Sequence, residues 1–442
     1  MKILIITPEL PWPPETGGKA SQFATLKALA TDHEFRLVVT RASPLLHDLA
    51  CQLEQELPHV TVVRQQARTI LPSQGGGWKS WLKRGTARLR NALRAREADE
   101  GEQQTRKMVP ERPYFPFVPL TTESLQLIEG QLGWAELIQA EFHESLYIAF
   151  LPIRHIPKIF ICHQAHGRFC ERFYRSQNLA SEPYPSTSAP DSRSLLAATD
   201  TSAACVFEAS CMSHFTHIVT FTKEDQEALH QQDSSLPISV SPFPIPADCR
   251  LVPPEDVMSW DLRLIYVGSS LWYPNVQAVQ WFCDKVAPLL REQVDDVGCR
   301  LHVVGHWPGP MRQSFCDGNV RFQGYAENIS DELTGNISIN PVFTGAGLRT
   351  KLLASAACNS PIVTTSIGCE GLGLRHGHDC LVADRAEDFA EAILSLMRNQ
   401  DMAAKLAKRA FEHAQHTFGP EAVRKNRNRM YEQVCRQFEG QS

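Results

Sequence analysis

The chain carries 442 residues, 43% of them hydrophobic and 21% charged, with a formal net charge of −5. That length suits two domains of about 200 residues each. The balance is that of an ordinary globular protein, and the net charge gives no electrostatic reason for nucleic acid as a partner. Thirteen cysteines without a CxxC pair point away from a zinc site or a disulfide framework and toward a reducing, cytoplasmic setting.

In chain order, short apolar runs alternate with longer amphipathic ones, the pattern of parallel α/β architecture. The opening run ends at Pro8, too short for a signal-peptide core or a membrane span, and no later run reaches the roughly 18 apolar residues a span needs. Residues 2–7 read as a buried strand, 20–30 as a helix with Phe23, Leu26 and Leu29 on one face, and 35–40 and 61–63 as further strands. Strands at 137–142, 159–162 and 217–220 continue the set, with helices predicted over 202–214 and 223–231. The stretch 182–202, rich in serine, proline and alanine, reads as a surface loop. Residues 239–254, SPFPIPADCRLVPP at their heart, hold too much proline for a helix or central strand and read as an interdomain linker.

The alternation then restarts. Strands are predicted at 263–267, 300–304, 320–323, 337–340 and 362–364, and helices at 275–292, 386–397, 402–416 and 420–438. Gly268 and Gly305 each close a strand at a carboxyl end, where the ligand crevice of an open α/β sheet lies. The most informative stretch is GAGLRTKLLASAACNSPIVTTSIGCEGL, residues 345–372: a glycine-rich turn, a helix, a buried strand and another turn. Gly345 and Gly347 can bring backbone close to a ligand, the helix N-terminus beyond them offers N–H groups to an anion, and Arg349 and Lys351 add formal charge. That chemistry suits a nucleotide diphosphate.

One segment stands apart. In 78–96, Trp78, Trp81, Leu82, Leu89 and Leu93 share one helical face, with Lys79, Lys83, Arg84, Arg90 and Arg94 largely opposite. Such a basic amphipathic helix can lie in a membrane interface, or pack on its own domain with a solvated basic face; the acidic run at 97–102 favours the second slightly.

The 345–372 segment resembles the donor-binding segment of retaining family 4 glycosyltransferases (glycosyl transferases group 1), whose usual pattern is roughly GxGxRxKxLEAxAxGxPVVxTxxGxEGL. The chain matches at Gly345, Gly347, Arg349, Lys351, Leu353, Ala357, Pro361, Val363, Gly368, Glu370, Gly371 and Leu372. It departs at Ala354, where the family places a carboxylate for the donor ribose, and at Asn359, where glycine is usual. YVGSSLWYPNVQAVQWF, LHVVG and VRFQGYAENISDEL follow the family's order, so the resemblance covers about 262–397 strongly. TPELPWPPETGG looks like the family's first loop, with Gly17 and Gly18 opening a helix but Ser21 where an arginine is frequent.

The resemblance implies a GT-B fold: two Rossmann-like α/β domains facing across a cleft. They would be an acceptor-side domain over 1–246 with an insert at about 64–118, a donor-binding domain over 247–419, and a helix over 420–442 crossing back to the first. It implies a metal-independent, retaining glycosyltransferase without a cofactor, moving a sugar from a nucleotide diphosphate sugar to an unknown acceptor such as a surface polysaccharide or glycolipid precursor. Its setting would be cytoplasmic, with peripheral contact at the inner membrane face if 78–96 binds lipid. The implied catalytic residues are His163, Arg349 and Lys351; His163 alone reads as a strand-end loop residue, and His166 is the weaker choice. Gly17, Gly18, Gly268, Gly305, Gly345, Gly347, Glu370, Gly371 and Leu372 would line the donor site. Glu370 is either a substitute acceptor for donor hydroxyls or a cap for a helix starting at Gly371. Ala354 leaves open a degenerate GT-B protein that binds a nucleotide sugar, or serves as a scaffold, without turnover; a different GT-B enzyme such as an epimerase is the remaining alternative.

Overall fold

A computed structural model describes residues 1–41, 43–64, 112–114, 116–117, 120–178, 192–247, 249–294, 300–315, 318–326 and 328–440. The amphipathic segment 78–96 and most of the insert at 64–118 lie outside them. The first half runs β1 (Lys2–Thr7), α1 (Gly17–Ala28), β2 (Glu34–Val39), α2 (Leu46–Glu56), β3 (Val60–Val62), α3 (Thr122–Glu129), β4 (Leu137–Glu141), a 3₁₀ turn (His143–Phe150), β5 (Lys158–Cys162), α4 (His166–Asn178), α5 (Ser192–Met212), β6 (His217–Thr220), α6 (Lys223–Gln232) and β7 (Ile238–Val240). The second runs β8 (Leu264–Val267), α7 (Tyr273–Trp281), α8 (Ala287–Arg291), β9 (Leu301–Val304), α9 (Gly309–Gln313), β10 (Val320–Gly324), α10 (Ile329–Leu333), β11 (Ile337–Asn340), α11 (Thr350–Ala357), β12 (Ile362–Thr364), β13 (Leu381–Val382), α12 (Ala386–Arg398), α13 (Gln400–Phe418) and α14 (Pro420–Glu439).

Both sheets are parallel, in the orders β3-β2-β1-β4-β5-β6-β7 and β10-β9-β8-β11-β12-β13. In each, the winding reverses between the first strand of the half and the fourth, so crevices open at the carboxyl ends of β1/β4 and of β8/β11. The β1 and β4 ends carry the loops to Gly17 and Phe142, next to the β5 end that carries His163, and the β8 and β11 ends carry the loops to Gly268 and Gly345.

Where the elements depart from expectation, the cause is local. Helix α1 begins at Gly17 because Thr16 caps it, its side chain accepting from the Lys19 amide. The run expected as one helix over 275–292 breaks into α7, a π turn at Phe282–Val286 and α8, since Pro288 lacks the N–H that would continue the ladder. Residues 192–201, expected in a loop, form the start of α5, which packs on α4 and buries Ala204 and Glu208. The proline-rich linker begins later than expected, because 238–240 add a seventh strand to the first sheet.

Three apolar clusters hold the molecule together, one on each outer face and one running through both halves: Ile3, Leu26 and Val219 share it with Leu352, Leu372, Ala410 and Tyr431. The crossing helix α14 closes this last cluster. Its Arg424 and Asn428 both bond the Asp32 carboxylate at 2.6 Å, and Asn428 also meets His33 Nε2 at 2.7 Å, fixing α14 to the β1–α1–β2 end of the first domain.

Candidate functional site

At the β4/β5 end of the first domain, three contacts hold His163. The Phe142 ring stacks on it with centroids 4.0 Å apart and planes 9° apart, and Phe221 meets it edge-on at 5.3 Å. Its Nε2 lies 2.8 Å from Glu141 Oε2. Phe142 adopts φ +64, an uncommon conformation for a bulky residue, which ends β4 one residue earlier than expected and turns the ring between His163 and Gly18. A Cβ on Gly18 would fall 2.7 Å from that ring, and one on Gly17 would fall 2.6 Å from Thr350 Oγ1 in the opposite domain.

Across the cleft, Gly345 and Gly347 take φ +128 and +75, so the loop folds tightly over the start of α11. Arg349 turns back on this loop, its Nη1 donating to the carbonyls of Ala346 at 2.6 Å and Gly347 at 2.8 Å. Its Nε and Nη2 are buried without a partner among the described residues. Burial lowers its pKa to about 10, against the raising charges of Glu370 and Asp225. Lys351 Nζ donates to Tyr266 Oη at 2.8 Å and Asn275 Oδ1 at 2.6 Å, and lies 4.2 Å from the Tyr266 ring centroid. Neutral acceptors do not offset its desolvation, and with the Arg349 charge nearby its pKa falls to about 7. Two cations with incomplete compensation make a site that favours an anion.

The two walls touch. The Gly347 amide, expected to face the anion, donates instead to Asp225 Oδ2 at 2.9 Å. Asp225 is fully buried, accepts from Thr222 Oγ1 at 2.8 Å and from the Ala165 amide at 3.3 Å, and so ties the glycine-rich loop to the first domain. Glu370 is gripped by α4: Arg172 donates through Nη1 and Nη2 at 2.7 Å each, and Arg168 through Nη2 at 2.9 Å. Arg172 also donates to the Gly345 carbonyl at 2.9 Å. No helix starts at Gly371, which lies in a run of turns, so the expected capping role for Glu370 does not arise. Gly371 (φ +74) lies against Thr222 of the first domain.

Other expected residues sit behind these walls. Gly268 and Gly305 pack on each other, a Cβ on Gly305 falling 2.4 Å from the Gly268 carbonyl, which also accepts from Trp307 Nε1 at 2.7 Å. Leu372 packs in the shared core, and His413 Nε2 meets its carbonyl at 2.7 Å. Ala354 is buried in the same core, its carbonyl 3.6 Å from Cys249 Sγ in the linker. His166 is fully buried beside His143 and Phe117, where burial and the His143 charge lower its pKa to about 4. His143, Cys162 and Glu208 cluster nearby, but Glu208 accepts from His143 at 2.7 Å and from the amides of His166 and Gly167 at 2.6 and 2.9 Å. That is a carboxylate capping the start of α4 and bonded to an imidazole.

Sequence reasoning missed Glu141, Asp225, Arg168, Arg172, Tyr266 and Asn275. Two signals were present. Arg168 and Arg172 stand at i, i+4 just after His163, on one helical face. Gln139 and Glu141 are polar at i, i+2 in a strand flanked by strands on both sides, where a continuous apolar run is the rule.

Residues 261–399 match the family model for glycosyl transferases group 1. An uncharacterized 44.6 kDa protein in the cps region of Klebsiella pneumoniae is 27% identical over 192 residues, 40% of this chain and 49% of its own length. The match thus spans about half of that relative. Among solved structures, the chain is similar to TarM at 10% identity, with a TM-score of 0.64 and 98% of both chains covered. It is similar to the pneumococcal O-GlcNAc transferase GtfA in complex with UDP and GlcNAc at 9%, with a TM-score of 0.64 over 98% of this chain and 99% of that one. For Anabaena HepE in complex with UDP the figures are 12% and 0.60, over 98% and 100%. The likeness establishes the fold: two Rossmann-like domains facing across a cleft, with the last helix crossing back, the GT-B arrangement expected from the sequence.

Proposed function

We propose that the protein transfers a sugar, with retention of configuration, from a nucleotide diphosphate sugar to a glycan or lipid-linked glycan acceptor. The observation that carries this reading is the contact of Gly347 with the His163 carbonyl, a Cβ there falling 2.2 Å from the oxygen. In this reading the contact brings the loop that carries Arg349 and Lys351 against the backbone of His163, so that all three serve one cleft. A donor spanning that cleft sets its diphosphate on the second domain and its sugar against the first.

When the bond from the sugar anomeric carbon to the diphosphate breaks, negative charge grows on the leaving phosphate oxygen. In this reading Arg349, whose Nε and Nη2 are buried without a partner among the described residues, and the Lys351 ammonium take it up, and no cation cofactor is needed. His163, held on its face and at Nε2, offers its remaining edge to the transferred sugar. Retention rests on the resemblance of the 345–372 segment. A surface polysaccharide precursor as acceptor is supported by the relative in the cps region. No helix among the described residues is long and apolar enough to cross a membrane. A lipid-linked acceptor would be met at the inner membrane face, and the basic, tryptophan-bearing sequence 78–96 supports that part of the reading.

Incubating the protein with a panel of nucleotide diphosphate sugars, with and without a glycolipid extract, and measuring nucleotide diphosphate release tests this reading. Release that depends on one donor supports it, and NMR of the product anomer settles retention. Binding without release points to the scaffold alternative, and neither binding nor release overturns both.

A further inference from the structure

Strand β4 lies between β1 and β5 in the centre of its sheet. Leu137, Ile138 and Ala140 are the apolar residues such a strand requires, but Gln139 and Glu141 are polar and almost wholly buried. By alternation they share a face with Leu137, which packs in the cluster that also holds Tyr431 of α14. Burying a carboxylate and an amide is costly unless each is bonded, and here the bonds form one line. Tyr431 Oη donates to Gln139 Oε1 at 2.6 Å, Gln139 Nε2 donates to Glu141 Oε1 at 2.6 Å, and Glu141 Oε2 meets His163 Nε2 at 2.8 Å. Arg427, one turn before Tyr431 on α14, is fully buried as well, and its charge acts on the Tyr431 phenol.

Direction is fixed along this line. Gln139 spends its amide N–H on Glu141, so its carbonyl oxygen is the end that takes the phenol proton. With one carboxylate oxygen receiving Gln139, the other receives His163, and an ionised carboxylate only accepts. The imidazole therefore carries a proton on Nε2, and in the neutral ring Nδ1 is the bare nitrogen. Phe142 stacked on the ring removes rotation about the remaining axis.

We propose that Glu141 is the positioning residue for His163, setting its tautomer and orientation, and that Gln139 and Tyr431 extend this support to the crossing helix α14. The helix then does more than join the domains: docking it completes the wall against which the sugar is held. This inference rests on the sugar-transfer role of His163. It does not rest on the donor loop.

The test uses Glu141→Gln and Tyr431→Phe in the full chain, with two independent readouts. One is ¹⁵N-histidine NMR of the unliganded protein, with His163 identified by its loss in His163→Asn. The expected wild-type signal is an Nε2-protonated ring with bare Nδ1. Glu141→Gln cannot accept from both neighbours and should convert that signal to a tautomer mixture, and Tyr431→Phe should shift it measurably. The other readout is kinetic. Glu141→Gln should lower kcat on the order of 10- to 100-fold with the donor KM within about twofold, and Tyr431→Phe should lower kcat about 2- to 10-fold, the worth of one neutral hydrogen bond. A His163 signal unchanged in both variants overturns the proposal, as does an unchanged kcat in a folded Glu141→Gln protein. Should Glu141→Gln not fold, Tyr431→Phe carries both readouts. If wild-type protein turns over no donor, the sugar-transfer reading fails by itself, and the NMR alone decides whether Glu141 sets the ring.

Discussion

Gly347 leaves no room for a side chain against the His163 carbonyl: a Cβ there would fall 2.2 Å from the oxygen. The two domains thus meet backbone to backbone at this point, and the contact works only with glycine. Its φ of +75 adds a second requirement for the same residue.

Gly347→Ala should therefore hold the domains apart rather than unfold either. We expect kcat/KM to fall by about 100-fold or more, the penalty for displacing reacting groups by roughly an ångström, with a more open particle in small-angle scattering. Gly17→Ala is the milder comparison, because the atom it meets is the Thr350 hydroxyl, which can rotate away. Equal effects from the two substitutions would show that backbone contact is not what sets the closure.

Donor affinity should fall with rising pH because of Lys351, whose pKa burial and the neighbouring Arg349 charge lower to about 7. A nucleotide diphosphate sugar keeps its two diphosphate charges across the neutral range, so it binds the ammonium form best and raises this pKa. Affinity is then full below about 7 and declines above it, by at most about tenfold per pH unit. The stability of the unliganded protein moves the other way, rising above about 7 as the folded state sheds a proton that the unfolded chain keeps up to its ordinary 10.5. Calorimetric titration at pH 6.5, 7.5 and 8.5 measures the slope, and Lys351→Met should flatten it.

Glu370 should make domain contact acid-sensitive. Burial acts to raise its pKa, but the Arg172 hydrogen bonds and the charges of Arg172, Arg168 and Arg349 outweigh this and lower it. A lowered carboxylate pKa contributes stability that is complete above the ordinary carboxylate range and is lost as pH falls through the lower folded value. Thermal midpoints between pH 3 and 7 should converge for wild type and Glu370→Gln at the acid end and separate toward neutrality. A constant gap across that range would remove Glu370 from the acid response.

Ala354→Glu, which restores the residue usual in the resembling family, should destabilise the protein instead of improving donor binding. The position packs with Leu352 and Leu353 in the shared core, beside Cys249 of the linker. A carboxylate buried there gives up its hydration, and we expect a loss of about 2–4 kcal/mol in unfolding free energy. Denaturant unfolding measures it. A stable variant with tighter diphosphate binding would mean that the side chain reaches the ribose.

Much of the architecture was legible in the chain. Strand and helix follow from short-range sterics and from the spacing of apolar residues, so the double alternation, the two Rossmann-like halves and the glycine-rich turn before Arg349 could be read without a structure. Local chemistry also misled in places. Pro288 split a helix that periodicity drew as continuous, and small residues at 192–201 read as loop until α4 gave them a surface to pack on.

The site itself was only half visible. That Arg349 and Lys351 follow a glycine-rich turn at the start of a helix is a property of neighbours in sequence. That the Gly347 amide goes to Asp225 is not, nor that Arg168 and Arg172 hold Glu370, nor that Tyr431 bonds a residue 292 positions away. Which acceptor a given donor finds, once water is excluded, depends on what the packed core brings within 3 Å, and a linear sequence carries no distance between its ends. Composition and spacing chose the elements, while closure of the two domains and docking of α14 chose the partners of Gly347, Glu370 and Gln139.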